Sequence, residues 1–313
     1  MRVKTIFTNG KELLLAAFTG FSNDRAMKLS ASLAYYTIFS LAPLLIVLIS
    51  AASLIYGKEE TIQSEVFNGI NELAGREAAI QIQQAIQKMN HSGQSLLAVI
   101  IGTATLFIGA TGVFIEIQTS INMIWRVRAK PKKGWWKFIV NRLLSFSMIL
   151  SLGFLLIVSL IINGLILALS QKLGEYFPDA AILLANIINP IITFIIITVL
   201  FGVIFKFLPD VEIRWKDVAA GAITTALLFM IGRFLIGLYI AKATPGSAYG
   251  TAGSLIIILV WIYYSAAILY FGAEFTRCYA EKYGRGIMPS PYAVHVQQTV
   301  EEKDVDVLPP KQT

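Results

Sequence analysis

Reactive side chains are scarce in this sequence. A single cysteine, Cys278, stands among 313 residues, which excludes an intrachain disulfide and a cysteine zinc cluster. Two histidines, His91 and His295, leave almost no material for a histidine metal site or a Ser-His-Asp triad. No G-x-x-x-x-G-K-[ST] run occurs, so a nucleotide-driven pump is not expected. Charge is also short: 14% of residues are Asp, Glu, Lys or Arg, against about 25% in an average chain. The other side of that shortage is a 56% hydrophobic content, which indicates a membrane protein without a large soluble domain. Neither a metal nor a cofactor is expected.

What is abundant is long apolar runs. Six are long enough to cross a bilayer, at about 29–56, 94–119, 143–170, 181–205, 218–241 and 250–276. The expected fold is therefore all-α: a polytopic six-transmembrane-helix bundle over 29–286. Before it, 1–28 carries Leu13, Leu14, Ala17, Phe18 and Phe21 at helical spacing among Lys and Arg. Leu13–Phe21 is too short to span and lacks a small-residue cleavage site, so an amphipathic cytoplasmic segment lying in the interface is expected rather than a signal peptide. Between spans one and two, the polar insertion 57–93 shows two apolar stripes broken near Gly75, which reads as two short amphipathic helices. The stretch 287–313 is polar and contains proline, and is expected to be a disordered cytoplasmic tail.

The net charge of +7 suits either a nucleic-acid binder or a membrane protein obeying the positive-inside rule. The N-terminus, second loop, fourth loop and tail hold 5, 7, 3 and 5 Lys/Arg, against 3, 1 and 1 in the first, third and fifth loops. That imbalance puts both termini in the cytoplasm and the insertion outside. The densest stretch is Trp125–Arg142, with Arg126, Arg128, Lys130, Lys132 and Lys133, three tryptophans and no acid. Flanked by apolar spans, it is expected to meet anionic lipid headgroups, not nucleic acid.

Polar groups inside spans mark candidate sites, because they are costly in hydrocarbon and face the bundle interior. The last run, Tyr249–Glu281, puts Tyr263, Tyr270 and Glu274 on one side and Ser254, Trp261, Ser265 and Gly272 on another. Span two repeats small or polar residues at 3-4 spacing, Gly102, Thr105, Gly109, Gly112, Glu116 among them, as a close-packing seam. Glu116 and Glu274 fall at similar depth toward the cytoplasm, where two carboxylates could share a proton or bind a cation, or be solvated and paired with Arg126 or Arg277. Arg233 lies inside span five, on the side of Ala222, Ala226 and Phe229, where it could hold an anionic group or snorkel outward. Pro43 and Pro190 are expected helix breaks near the middle of spans one and four.

The pattern YG…WIYYS…LYFGAEF in the last span resembles the YihY/BrkB family of bacterial inner-membrane proteins, some of which are labelled ribonuclease BN. So do LSASLAYYTIFSLAPLLIVLIS at Leu29–Ser50, the IW-R segment at Ile124–Arg126, FLPDVEIRWKDVAAGA at Phe207–Ala222 and LYIAKATPGSAYGTAG at Leu238–Gly253. The resemblance implies six transmembrane helices and a plasma-membrane location, and little about activity. The residues point to a transporter-like protein moving a small solute or a lipid, in the manner of a flippase, through Glu116, Arg233, Glu274, Tyr263, Tyr270 and Trp261. The alternative is a non-transporting envelope scaffold. A second copy or an envelope component is the expected protein partner in either case. A ribonuclease is the least expected, since the cytoplasmic stretches lack a metal-binding carboxylate cluster, and the protein is not expected to be an enzyme.

Overall fold

The computed structural model describes residues 2–40, 112–130, 188–243 and 253–297. These stretches form helices α1 (Arg2–Asn23), α2 (26–40) and α3 (112–124), then strand β1 (Val127–Ala129). Helix α4 (Asn189–Phe207), strand β2 (Val211–Glu212) and helix α5 (Trp215–Ala243) follow, then α6 (Gly253–Tyr283), β3 (Met288–Pro289) and β4 (Ala293–His295). The insertion 57–93, span three, Pro43, Gly102, Thr105, Gly109, Lys132 and Lys133 lie outside the described residues.

Three of the helices carry stretches long and apolar enough to cross a membrane: Pro190–Phe207, Trp215–Tyr239 and Ile256–Tyr283. Helices α4 and α5 are apolar almost all round, the signature of a helix surrounded by lipid or protein and not lying half in water. Pro190 stands in the first described turn of α4, a position that proline tolerates, and the residues before Ile188, where its effect on span four would be read, lie outside the described residues. Ile188 before it is already helical in φ and ψ.

Helix α6 is the axis of the described fold, packing on α5 and on α1, while α5 also packs on α4. One core runs through α2, α3, α4, α5 and α6, with Trp125, Phe205 and Tyr270 among its largest fully buried side chains. The α5–α6 contact is a reciprocal clasp. A Cβ on Gly221 would land on the Thr276 hydroxyl, and a Cβ on Gly272 would land on the Thr225 hydroxyl. Each threonine thus fills the notch left by the other helix's glycine, which brings the backbones close. Both hydroxyls are satisfied at home: Thr225 Oγ1 donates to the Gly221 carbonyl and Thr276 Oγ1 to the Gly272 carbonyl, each at 2.7 Å.

The expected all-α fold is modified at one end. Strand β1 pairs antiparallel with β4, and β2 with β3, so the chain after α6 ties together the loops after α3 and α4. Of the stretch 287–313, residues 287–297 include β3 and β4, while 298–313 lie outside the described residues. Polarity marks that segment as solvent-facing. Backbone pairing orders it, a contribution that side-chain composition does not reveal. A buried Asn–Asp pair fixes the same end. Asn122 Nδ2 donates to Asp210 Oδ2 at 2.8 Å, and the Asp210 N–H donates to Asn122 Oδ1 at 2.9 Å. The Ser290 N–H donates to the Asp210 carbonyl at 3.1 Å, joining the tail to this pair. Burial, and then the nearby Asp210 carboxylate, pushes the Tyr292 phenol above its ordinary pKa.

Candidate functional site

The site is built where α1, the end of α3 and α6 meet. Glu274 is 0% exposed, one turn beyond Tyr270 on α6. Its Oε2 accepts from Arg277 Nε at 3.0 Å and Nη2 at 2.9 Å, a two-pronged contact from the same helix. The Arg277 Nη1 continues to Glu281 Oε1 at 3.2 Å toward the helix surface. This pair presses against α1 at Gly20. A Cβ there would stand 2.7 Å from Glu274 Oε2 and 3.0 Å from Arg277 Nη2, so a residue without a side chain makes room for the ion pair.

Immediately after α1, Asp24 enters the same space. Its side chain is 2% exposed and one oxygen accepts from Arg126 Nη2. Two left-handed turns aim these groups. Arg25 has φ 52° and Arg126 has φ 57°, the first separating α1 from α2 and the second ending α3 before β1. Each costs on the order of 1–2 kcal/mol in a non-glycine residue. The Arg126 carbonyl accepts from the Val296 N–H at 2.8 Å, which helps to fix its turn. The Asp24 N–H donates to the Gly20 carbonyl at 2.8 Å, one turn beyond the glycine that Glu274 presses against, so the two carboxylates are electrostatic neighbours. Asp24 Oδ2 and Glu274 Oε1 are both buried, and neither has a hydrogen-bond donor among the described residues.

A second group lies one turn away. The fully buried Tyr270 faces Ser120 of α3, with Glu116 in electrostatic range. Its hydroxyl has no hydrogen-bond partner among the described residues. Trp125 Nε1 donates to the Ala273 carbonyl at 2.9 Å, pinning α3 to α6 beside Glu274. No group of three or more His, Cys, Asp or Glu suited to a metal occurs among the described residues.

The sequence-predicted residues therefore divide. Glu274 and Tyr270 lie in the network, and half-buried Glu116 lies at its edge, near Tyr270. Of the alternatives for Glu274, the pairing with Arg277 is the one present, and the second carboxylate beside it is Asp24 and not Glu116, because α1 folds back onto α6 at Gly20. Arg126 is paired with Asp24, whereas Arg128 and Lys130 are exposed on and beside β1. Gly112 of the seam accommodates the Tyr36 ring of α2, since a Cβ there would meet it at 3.3 Å. Trp261 packs edge-on against Phe229 of α5, with ring centroids 6.4 Å apart, and Tyr263 packs on the cluster of Ala34, Ile258 and Ile262. Of the two alternatives for Arg233, the outward one is present, away from the buried face of its small neighbours. Ala222 and Ala226 are buried, but Arg233 is exposed, lining a shallow open cavity of about 380 Å³ with Met230, Phe234, Gly237 and Leu238.

Comparison with known proteins fixes the family. The profile described as Virulence factor BrkB matches residues 17–293, almost the whole chain. The chain belongs to the BrkB family. A UPF0761 membrane protein of Pseudomonas aeruginosa (strain LESB58) is 29% identical over 274 residues, covering 85% of this chain and 62% of the relative. A UPF0761 membrane protein of Tolumonas auensis is 28% identical over 266 residues, covering 83% of this chain and 82% of the relative. The chain thus spans about three fifths of the Pseudomonas relative's length. No solved structure matches. With its apolar helices, this BrkB-family chain is a membrane protein.

Sequence reasoning about the BrkB-family chain missed Asp24, Gly20, the Asn122–Asp210 pair and the two threonines of the clasp. Asp24 sits in Ser22-Asn23-Asp24-Arg25, a polar run that reads as a turn at the membrane surface. The clasp had a readable signal: Gly221 to Thr225 and Gly272 to Thr276 repeat the same four-residue step on two apolar helices.

Proposed function

We propose that this protein is a transporter-like component of the inner membrane, moving a small solute or a lipid, with six spans and both termini in the cytoplasm. One observation carries the reading. Helix α6 buries a carboxylate completely and leaves one of its oxygens without a hydrogen-bond donor among the described residues. A carboxylate that only stabilised the fold would gain most by having both oxygens satisfied. A group that binds and releases something needs an open one. Arg233, exposed on α5 beside an open cavity, suits the phosphate of a lipid headgroup. Exposed Arg128 and Lys130 suit anionic headgroups at the cytoplasmic surface. The reading is non-enzymatic.

The test is flux through proteoliposomes made with the purified full chain, using labelled lipid and a panel of small ions and solutes. We expect Glu274→Gln to abolish flux. Arg233→Ala is expected to impair lipid movement selectively if the cargo is a lipid. Wild-type flux from Glu274→Gln would remove Glu274 from the path.

A further inference from the structure

The open oxygens of Asp24 and Glu274 belong to two different carboxylates that meet inside one buried space. Their outer oxygens are already taken, Asp24 by Arg126 and Glu274 by Arg277. Two acceptors turned toward each other repel when both are ionised, and in a low-dielectric site that repulsion is severe. A single proton between them removes it, converting two unsatisfied acceptors into a donor and an acceptor. A metal cation would need more oxygens than these two and would sit between two guanidinium groups. A proton needs neither.

We infer that Asp24 and Glu274 together hold one exchangeable proton, and that this proton is the ion coupled to movement of the cargo. The coupling half rests on the transport reading above; the proton-holding half does not. The groups that face the pair are the guanidiniums of Arg126, from the turn after α3, and Arg277, on α6. Glu281 and Cys278 lie beyond Arg277 on α6, and the α1 wall is the backbone of Gly20. Glu116 approaches only as far as Tyr270. Among these, the inward oxygens of Asp24 and Glu274 lack donors, which confines the proton to the pair. On release the proton passes to water on the side to which the pair opens. The two carboxylates then separate, or Arg126 or Arg277 shifts inward to compensate.

Infrared difference spectroscopy of the full chain in lipid vesicles, titrated in pH, reads this proton directly. The wild type should show a protonated-carboxyl carbonyl band at neutral pH, amounting to about one proton per chain. The band should disappear in Glu274→Gln and in Asp24→Asn, because either amide can donate to the remaining carboxylate. Absence of the band in the wild type at neutral pH would overturn the inference without reference to any variant's folding. So would a band unchanged in both variants, or one that appears only when sodium is removed. Flux in the same vesicles separates the two halves. With the band present, a pH gradient should drive cargo in the wild type and drive none above protein-free vesicles in Glu274→Gln. Flux indifferent to the gradient would overturn the coupling while the proton site stands.

Discussion

Helices α5 and α6 are alike in length and composition, yet they treat their charges in opposite ways. Each is about thirty residues long and each carries a stretch suited to crossing a membrane. On α5, Arg233 is exposed, with no ion-pair partner among the described residues. On α6, Glu274 is fully buried, paired with Arg277 and set against Asp24. The difference comes from the neighbours. Helix α6 is covered on one side by α5 and on another by α1, whose Gly20 admits the ion pair. The segment of α5 around Arg233 has Phe234, Leu235 and Leu238 facing outward beside it. An ionisable residue within an apolar helix thus signals a site only when a second element closes over it.

The sharpest way to break this contrast is to remove the buried member. Glu274→Ala leaves Arg277 without its buried partner, and losing one half of a buried pair costs about 3–5 kcal/mol. A large fall in the thermal midpoint in detergent is expected, with Glu274→Gln falling less because it keeps an oxygen for Arg277. Next comes the clasp that holds α6 against α5. Gly272→Ala sets a methyl on the Thr225 hydroxyl and is expected to cost about 1–3 kcal/mol through overpacking. The double variant Gly272→Ala/Thr225→Gly should recover much of that loss, and failure to recover would show that the glycine serves something other than close approach. A comparable or smaller loss, about 1–3 kcal/mol, is expected for Asn122→Ala, which strips two hydrogen bonds from buried Asp210. At the far end of the scale, Arg233→Ala should leave the midpoint unchanged within error, since exposed substitutions away from a network shift stability little. A destabilisation as large as that of Glu274→Ala would erase the distinction between the two helices.

How far the sequence revealed this arrangement differs by element. Apolar length located α4, α5 and α6, because crossing a bilayer imposes a length that no loop satisfies. Helical spacing put Tyr270 and Glu274 on one side, and both are buried. Its ion-pair partner Arg277 was legible as a neighbour on the same helix, but the second carboxylate beside it was not. Asp24 is 250 positions away in the chain and sits in a polar turn, where an aspartate needs no special reason. What brings it in is the reversal at Arg25 and the smooth face of α1 at Gly20, both consequences of tertiary packing. Arg233 shows the converse. Spacing aligned it with Ala222 and Ala226, but at this level the side of α5 against α6 passes through Gly232 and Ile236 instead, and a helical wheel does not register which side a neighbour covers at each turn.

Whether Asp24 and Glu274 act as one unit is what a double-mutant cycle measures directly. Thermal or denaturant stability of Asp24→Asn, Glu274→Gln and the double variant should be non-additive by more than about 1 kcal/mol, as for residues in direct contact within one network. Additivity within about 0.3–0.5 kcal/mol, the behaviour of independent sites, would contradict it.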